Sequence, residues 1–194
     1  MSQSEMNDKP SVGGGSICPA EQGHWLASSI RRLVHNPEKI LRGLIREGQT
    51  VADLGCGPGF FTIPMAELVG ENGRVIAVDL QQGMLDMLKV RAERANMLSR
   101  IRLHKCEVDA IGVTEHVDFA LAFYMVHEVQ DVPGYLAQVS DMMKPDGRFL
   151  MVEPKGHVSR AQFAETTEIA RAAGLKPIDS PRIFWGYSTL FSRD

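Results

Sequence analysis

Short, continuous apolar runs alternate along the chain with longer segments whose apolar residues recur at helical spacing. Such runs are typical of strands buried on both faces of a parallel sheet. They predict strands at residues 50–54, 74–79, 101–105, 117–123, 148–153, 175–179 and 183–191. The intervening segments predict helices at residues 60–69, 82–96, 132–143 and 159–173. This order predicts an α/β fold: a doubly wound, mostly parallel seven-stranded sheet with helices on both faces.

Several residues mark where helices begin and end. Asn36 followed by Pro37 predicts a helix start, and we expect Gly48 to end that helix. Ser159 and Gln162 have the spacing of a capping box, and Gly174 is a typical C-terminal stop. These signals support the predicted helix boundaries on either side of the strands.

The chain divides into a tail, an arm and a core. Residues 1–16 are polar and glycine-rich, which predicts a disordered tail. Residues 17–48 are expected to form a helical N-terminal arm, and residues 49–194 the core of the same single domain. Since no long insertion precedes the sixth strand, we expect the arm, including Trp25, to act as a lid over the binding pocket. A subunit contact or a membrane-surface contact are the alternatives for its apolar face.

A glycine-rich loop, Gly55-Cys56-Gly57-Pro58-Gly59, joins the first core strand to the next helix. Glycines at such a turn let a ligand lie against bare backbone beside a helix N-terminus. The dinucleotide fingerprint G-x-G-x-x-G needs a glycine at position 60, where this chain has Phe60. Asp79 ends the following strand, where a carboxylate can accept hydrogen bonds from ribose hydroxyls. The pattern favours an adenosine cofactor over a pyrophosphate-containing dinucleotide.

Together these motifs resemble class I S-adenosylmethionine-dependent methyltransferases. The resemblance rests on Asp53 before the G-x-G-x-G loop, on Asp79, and on the segments at residues 119–129 and 144–154. The last segment is similar to the group that contains the quinone C-methyltransferases, and the likeness covers residues 36–192. It implies a Rossmann-like fold, S-adenosyl-L-methionine as cofactor with S-adenosyl-L-homocysteine as product, and methyl transfer to a small or medium organic acceptor.

The resemblance also implies which residues hold the cofactor. They are Asp53, Gly55, Gly57, Gly59, Asp79, Leu80, Glu107 and Val108. Asp53 would orient the turn and the ammonium of the methionine moiety, and Glu107 would accept a hydrogen bond from the adenine amino group beside the Val108 N–H. Asp109 is the alternative to Glu107, because the register of this motif can slip by two residues.

Catalysis here needs little protein chemistry, because a sulfonium methyl group is already activated and must mainly be positioned and kept dry. A general base matters only if the acceptor loses a proton, and the candidates after the fourth strand are Tyr124, His127 and Glu128. A structural role for His127 in organising that loop is the alternative. Glu153 and His157 are weaker candidates near the same pocket. The scattered histidines show no metal-binding spacing, so no metal is expected.

Composition limits the partners and the location. The chain has 194 residues with a net charge of −3, which gives no sign of a nucleic-acid partner. Three widely spaced cysteines and no bilayer-length apolar run predict a reduced, cytoplasmic protein without stable membrane insertion. A homodimer is possible.

Two other functions deserve comparison with methyl transfer. An NAD(P)-dependent oxidoreductase is disfavoured by Phe60 and by the lack of a Tyr-x-x-x-Lys pair. A non-catalytic methyltransferase-like binding protein is disfavoured because every cofactor position remains chemically usable.

Overall fold

The computed structural model describes residues 34–193, and its elements follow the predicted order. The strands are β1 (Thr50–Leu54), β2 (Arg74–Asp79), β3 (Ile101–Lys105), β4 (Val117–Phe123), β5 (Met143–Pro154), β6 (Leu175–Asp179) and β7 (Gly186–Arg193). The α-helices are α1 (Pro37–Leu41), α2 (Thr62–Val69), α3 (Gln82–Arg94), α4 (Val132–Met142) and α5 (Arg160–Ala172). Two short 3₁₀ turns, Leu98–Arg100 and Val126–Glu128, precede β3 and follow β4.

The strands form one seven-stranded sheet in the order β3-β2-β1-β4-β5-β7-β6. Strands β1 to β5 pair in parallel, whereas β7 runs antiparallel to both β5 and β6. In the centre, Ala52 lies level with Ile76 on β2 and Ala120 on β4. The predicted α/β fold is therefore confirmed, and the carboxyl ends of the parallel strands meet at one edge of the sheet.

Helices bury both faces of the sheet. On one face, Val51 packs in a cluster with Leu41, Met65 and Leu88 from α1, α2 and α3. On the other, the next residue of β1, Ala52, belongs to a cluster that includes residues of α4 and α5. Because alternate residues of a strand point to opposite faces, a strand covered on both sides is apolar throughout. This double burial explains the continuous apolar runs in the sequence.

The helix that begins after Asn36 is shorter than predicted. Asn36 caps α1 as expected, since its side chain accepts a hydrogen bond from the Lys39 N–H at 2.9 Å. However, α1 ends at Leu41, and Gly43 follows with a φ of 75°. The Arg148 guanidinium donates to the Gly43 and Leu44 carbonyls at 3.1 and 2.6 Å. The prediction of a helix to Gly48 is wrong because a left-handed turn, stabilised by a distant arginine, ends it earlier.

Other boundaries also differ from the prediction. Strand β7 begins at Gly186 rather than residue 183, because the Gly186 N–H donates to the Ile183 carbonyl at 3.1 Å and closes a turn. Strand β5 begins earlier than predicted, at Met143, with a shift in register against β4. Helix α2 begins at Thr62, which leaves Phe60 in the preceding loop.

Two predicted helix ends are confirmed. Ser159 and Gln162 form a complete capping box at the start of α5. Gly174 has a φ of 87° directly after the helix, as a C-terminal stop requires. Within residues 34–193, no helix combines the length and apolarity needed to cross a membrane. The predicted tail and most of the predicted arm lie outside the described residues.

Candidate cofactor and acceptor site

A cavity of about 840 Å³ lies at the carboxyl edge of the sheet. Its walls come from the loops that follow β1, β2, β3, β4 and β5, together with Val34 and His35 before α1 and Phe184 and Trp185 before β7. Ligands of parallel α/β proteins bind at this edge. The volume is near the upper end for small-molecule sites, so the cavity has room for a nucleoside cofactor and a second small molecule.

The glycine loop does not use its three glycines in the same way. At Gly57, with a φ of 51°, an added Cβ would meet no atom within 4 Å, and the residue lines the cavity. An added Cβ at Gly55 would lie 2.9 Å from Met125 Cγ, and one at Gly59 would lie 2.3 Å from Leu88 Cδ1. Of the described residues, Gly55 and Gly57 line the cavity, whereas Gly59 does not. Gly57 therefore leaves space for a ligand, and Gly59 instead allows close packing against α3.

Asp79 connects the loops after β1 and β2. Its carboxylate accepts hydrogen bonds from the Gly57 and Gln81 N–H groups, both at 2.8 Å. The side chain is buried at the cavity wall, and burial raises the pKa of its carboxyl group above the ordinary value. Each carboxylate oxygen has a second lone pair, so both can also accept a hydroxyl from a ligand. Leu80 lines the cavity beside Asp79.

Two further contacts hold the glycine loop. Asp53 is buried at the end of β1, and its carboxylate accepts a hydrogen bond from the Thr62 hydroxyl at 2.5 Å. On the opposite side, the Arg91 guanidinium of α3 donates to the Pro58 carbonyl. Asp53 also lines the cavity. Through the hydrogen bond from Thr62, Asp53 connects the end of β1 to the first turn of α2.

The loop after β3 carries Glu107 and Val108, which both line the cavity. Asp109, the alternative acid, is absent from the lining residues in the described part of the chain. Gln138 of α4 fixes this loop: its side chain accepts from the Ile111 N–H at 2.8 Å and donates to the Asp109 carbonyl at 2.9 Å. No sequence pattern marks Gln138, because its partners are backbone groups of a loop that is distant along the chain.

His127 and Glu153 form a hydrogen-bonded pair after β4 and β5. His127 Nδ1 contacts one carboxylate oxygen of Glu153, and the other accepts the Val126 N–H at 2.9 Å. Glu153 is 2% exposed, whereas His127 lines the cavity. Burial alone would lower the pKa of His127, but the hydrogen bond and the negative charge of Glu153 outweigh it, so the pKa is raised. Glu153 therefore contacts a residue that lines the cavity, whereas the sequence indicated only a position near the pocket.

Four ring-bearing residues line another part of the cavity, which we call the aromatic wall: His35, Tyr124, Phe184 and Trp185. The Tyr124 hydroxyl lies 3.1 Å from His35 Nε2, which is 2.8 Å from the Phe184 carbonyl oxygen. Tyr124 and Trp185 both have positive φ, 65° and 54°, which is a strained conformation for bulky side chains. Such strain is concentrated at functional sites. Phe184 and Trp185 contribute to this wall from the loop before β7, a contribution that the sequence did not indicate.

This combination of sheet order, glycine loop and acid after β2 defines the class I methyltransferase fold. Residues 45–176 match the family described as "Methyltransferase domain", to which the chain therefore belongs. A SAM-dependent methyltransferase from Aquifex aeolicus has the same fold, with a TM-score of 0.84 at 21% identity over 92% of this chain and 100% of that one. A TehB-like SAM-dependent methyltransferase from Corynebacterium glutamicum has a TM-score of 0.71 at 16% identity, covering 91% and 100%.

A more similar sequence is the ubiquinone/menaquinone biosynthesis C-methyltransferase UbiE of Escherichia coli O1:K1. It is 28% identical over 110 residues, which cover 56% of this chain and 44% of that protein. The chain thus spans less than half the length of the curated relatives it matches. The family and its structural neighbours imply S-adenosylmethionine as cofactor, and the open face of Gly57 beside Asp79 fits an adenosine group.

Proposed function

We propose that the protein is an S-adenosylmethionine-dependent methyltransferase that methylates a small or medium organic acceptor. The observation that carries the proposal is the space kept open at Gly57 next to the Asp79 carboxylate, in a cavity with volume for two ligands. When bound, S-adenosylmethionine supplies an electrophilic methyl group. The protein's own task is to orient the two ligands and to exclude water.

The walls of the cavity suggest how it is divided. Asp79 and Leu80 would hold the ribose and one face of the adenine, and Glu107 and Val108 the edge of the adenine ring. Asp53 and the Gly55 backbone would face the methionine moiety. The acceptor would then lie between His127 and the aromatic wall. This is the part of the cavity that the cofactor would not fill.

The first test of the proposal is cofactor preference. Isothermal titration calorimetry should show S-adenosylhomocysteine binding at least about 100-fold more tightly than NAD, because the chain has Phe60 where the dinucleotide fingerprint has its third glycine. Equal affinities, or a preference for NAD, would overturn the proposed function. Incubation with methyl-labelled S-adenosylmethionine and a metabolite extract, followed by isolation of the labelled product, would then identify the acceptor.

Replacing Asp79 by Ala should weaken S-adenosylhomocysteine binding. The variant loses charge-assisted hydrogen bonds to the ribose, each typically about 1.5–3 kcal/mol, so we expect roughly a 10- to 150-fold higher Kd. Asp86→Ala, an exposed carboxylate on α3, is the matched control and should bind normally. A Kd for the folded Asp79→Ala variant equal to that of the control would exclude Asp79 from the cofactor site.

A further inference from the structure

The arrangement of His127 and Glu153 is suited to removing a proton. A carboxylate only accepts hydrogen bonds, so the bond to Glu153 places the His127 proton on Nδ1 and leaves the lone pair on Nε2. Glu153 is itself fixed by the Val126 N–H and is almost completely buried. A buried acid that sets the tautomer of a cavity-lining histidine is the arrangement of a positioned general base.

The charges around the cavity limit what can bind beside His127. Among the described residues, those that line the cavity include four acids but no lysine or arginine. The acids are Asp53, Asp79, Glu107 and Glu128. An acceptor with a fixed negative charge would lose its hydration without gaining a cationic partner from these walls. Aromatic rings instead cover the acceptor side, where Phe184 and Trp185 are 64% and 63% exposed. An uncharged acceptor with an apolar body fits these walls.

We propose that His127, held by Glu153, takes the proton from an uncharged, weakly acidic acceptor, a thiol or a phenol. This inference rests on the proposed function and extends it to the substrate class. A thiol or a phenol gives up its proton to an imidazole more easily than an aliphatic alcohol does, and a carboxylic acid is already ionised at neutral pH. Of the other candidate bases, Tyr124 has its hydroxyl hydrogen-bonded to His35 within the aromatic wall.

The step balances without a further reactant. The proton of the acceptor's S–H or O–H bond passes to His127 Nε2, and the electron pair left on sulfur or oxygen forms the new bond to the methyl carbon. The old carbon–sulfur bond breaks with its electrons remaining on the cofactor sulfur, which becomes a neutral thioether. The imidazolium is stabilised by Glu153 until it returns its proton to water.

The variants His127→Asn and Glu153→Gln test the roles of these two residues. His116→Asn, a substitution of an exposed histidine, is the control. All three should bind S-adenosylhomocysteine like the unchanged protein. With labelled S-adenosylmethionine and benzyl mercaptan or phenol, His127→Asn should lower turnover by about 10²- to 10⁴-fold, and Glu153→Gln by at least about tenfold. Turnover by His127→Asn at the rate of the His116→Asn control would overturn the assignment.

The pH dependence separates a base from a merely structural histidine. Turnover should rise as pH increases through the pKa of His127 and then level off, because only the neutral ring accepts a proton. The charged or titratable groups around it are Glu153 on β5, Glu128 in the same turn and His157 after β5. Since Glu153 raises this pKa, Glu153→Gln should move the rise to lower pH, and NMR titration of the His127 ring should move equally. A pKa of His127 unchanged by Glu153→Gln would contradict the proposal.

Three aromatic compounds test the proposed class of acceptor. Benzyl mercaptan, phenol and phenylacetate share a phenyl ring and differ in the reacting group. We expect methylation of the thiol or the phenol, whichever atom the site accepts, and none of phenylacetate. Methylation of phenylacetate, or of neither weak acid, would overturn the class. If S-adenosylhomocysteine does not bind the unchanged protein, the proposed function itself fails, whereas binding with the contrary results above overturns only this inference.

Discussion

The Gly57→Val variant should lose S-adenosylhomocysteine binding while the domain remains folded. An added Cβ at Gly57 would meet no protein atom within 4 Å, so the valine side chain would extend into the cavity space proposed for the cofactor. We expect affinity to fall by at least about 100-fold, or about 2.7 kcal/mol. Circular dichroism and calorimetry on the same sample would measure both effects.

The control for this variant is Gly48→Val. Gly48 also has a positive φ, 81°, and open space around its Cβ position, but it is not among the described residues that line the cavity. Both variants therefore carry a similar backbone strain of about 1–2 kcal/mol. Only Gly57→Val should lose binding, and retained binding by that variant would show that the cofactor does not lie against the loop.

Deleting residues 1–35 should nearly abolish methyl transfer, whereas deleting residues 1–16 should leave it almost unchanged. The longer deletion removes His35, which is 7% exposed and connects Tyr124 to the Phe184 carbonyl. Without it, the aromatic wall loses its link between β4 and the loop before β7, and water can enter the acceptor side. Asn36 remains to cap α1.

Turnover of both truncated proteins should be measured with the acceptor identified by labelling, and S-adenosylhomocysteine binding by calorimetry. Binding should change much less than turnover, because the proposed cofactor contacts lie in loops that the deletion leaves intact. Full turnover by the longer deletion would show that neither the arm nor His35 is needed to close the site. The apolar face of the arm would then be assigned to a subunit or membrane contact.

The sequence predicted the parts of the fold that depend on local pattern. Strands such as β1 are buried on both faces and so appear as continuous apolar runs, and Ser159 and Asn36 cap helices through neighbouring backbone groups. The end of α1 was missed because it depends on Gly43 and on Arg148, a residue distant in sequence. Contacts of this kind leave no periodic signal.

The same distinction applies to the candidate site. Asp79 was predicted from its position at the end of the strand after the glycine loop, and Asp53 from the family resemblance; both line the same cavity. For Gly59 a cofactor contact was predicted, whereas in the structure the absence of a side chain there allows close packing against Leu88. Gln138 and Phe184 were not foreseen, since each acts through backbone groups brought close only by the folded sheet.

The hydrogen bonds of Asp79 have a kinetic consequence. Because its carboxylate joins the Gly57 and Gln81 backbones, contacts within the protein itself hold these two loops in place. Such preorganisation removes most of the entropic cost of shaping the site on binding. Association with S-adenosylhomocysteine should therefore proceed in one step without a slow isomerisation phase, and variants elsewhere in the loops should differ mainly in how quickly they release it.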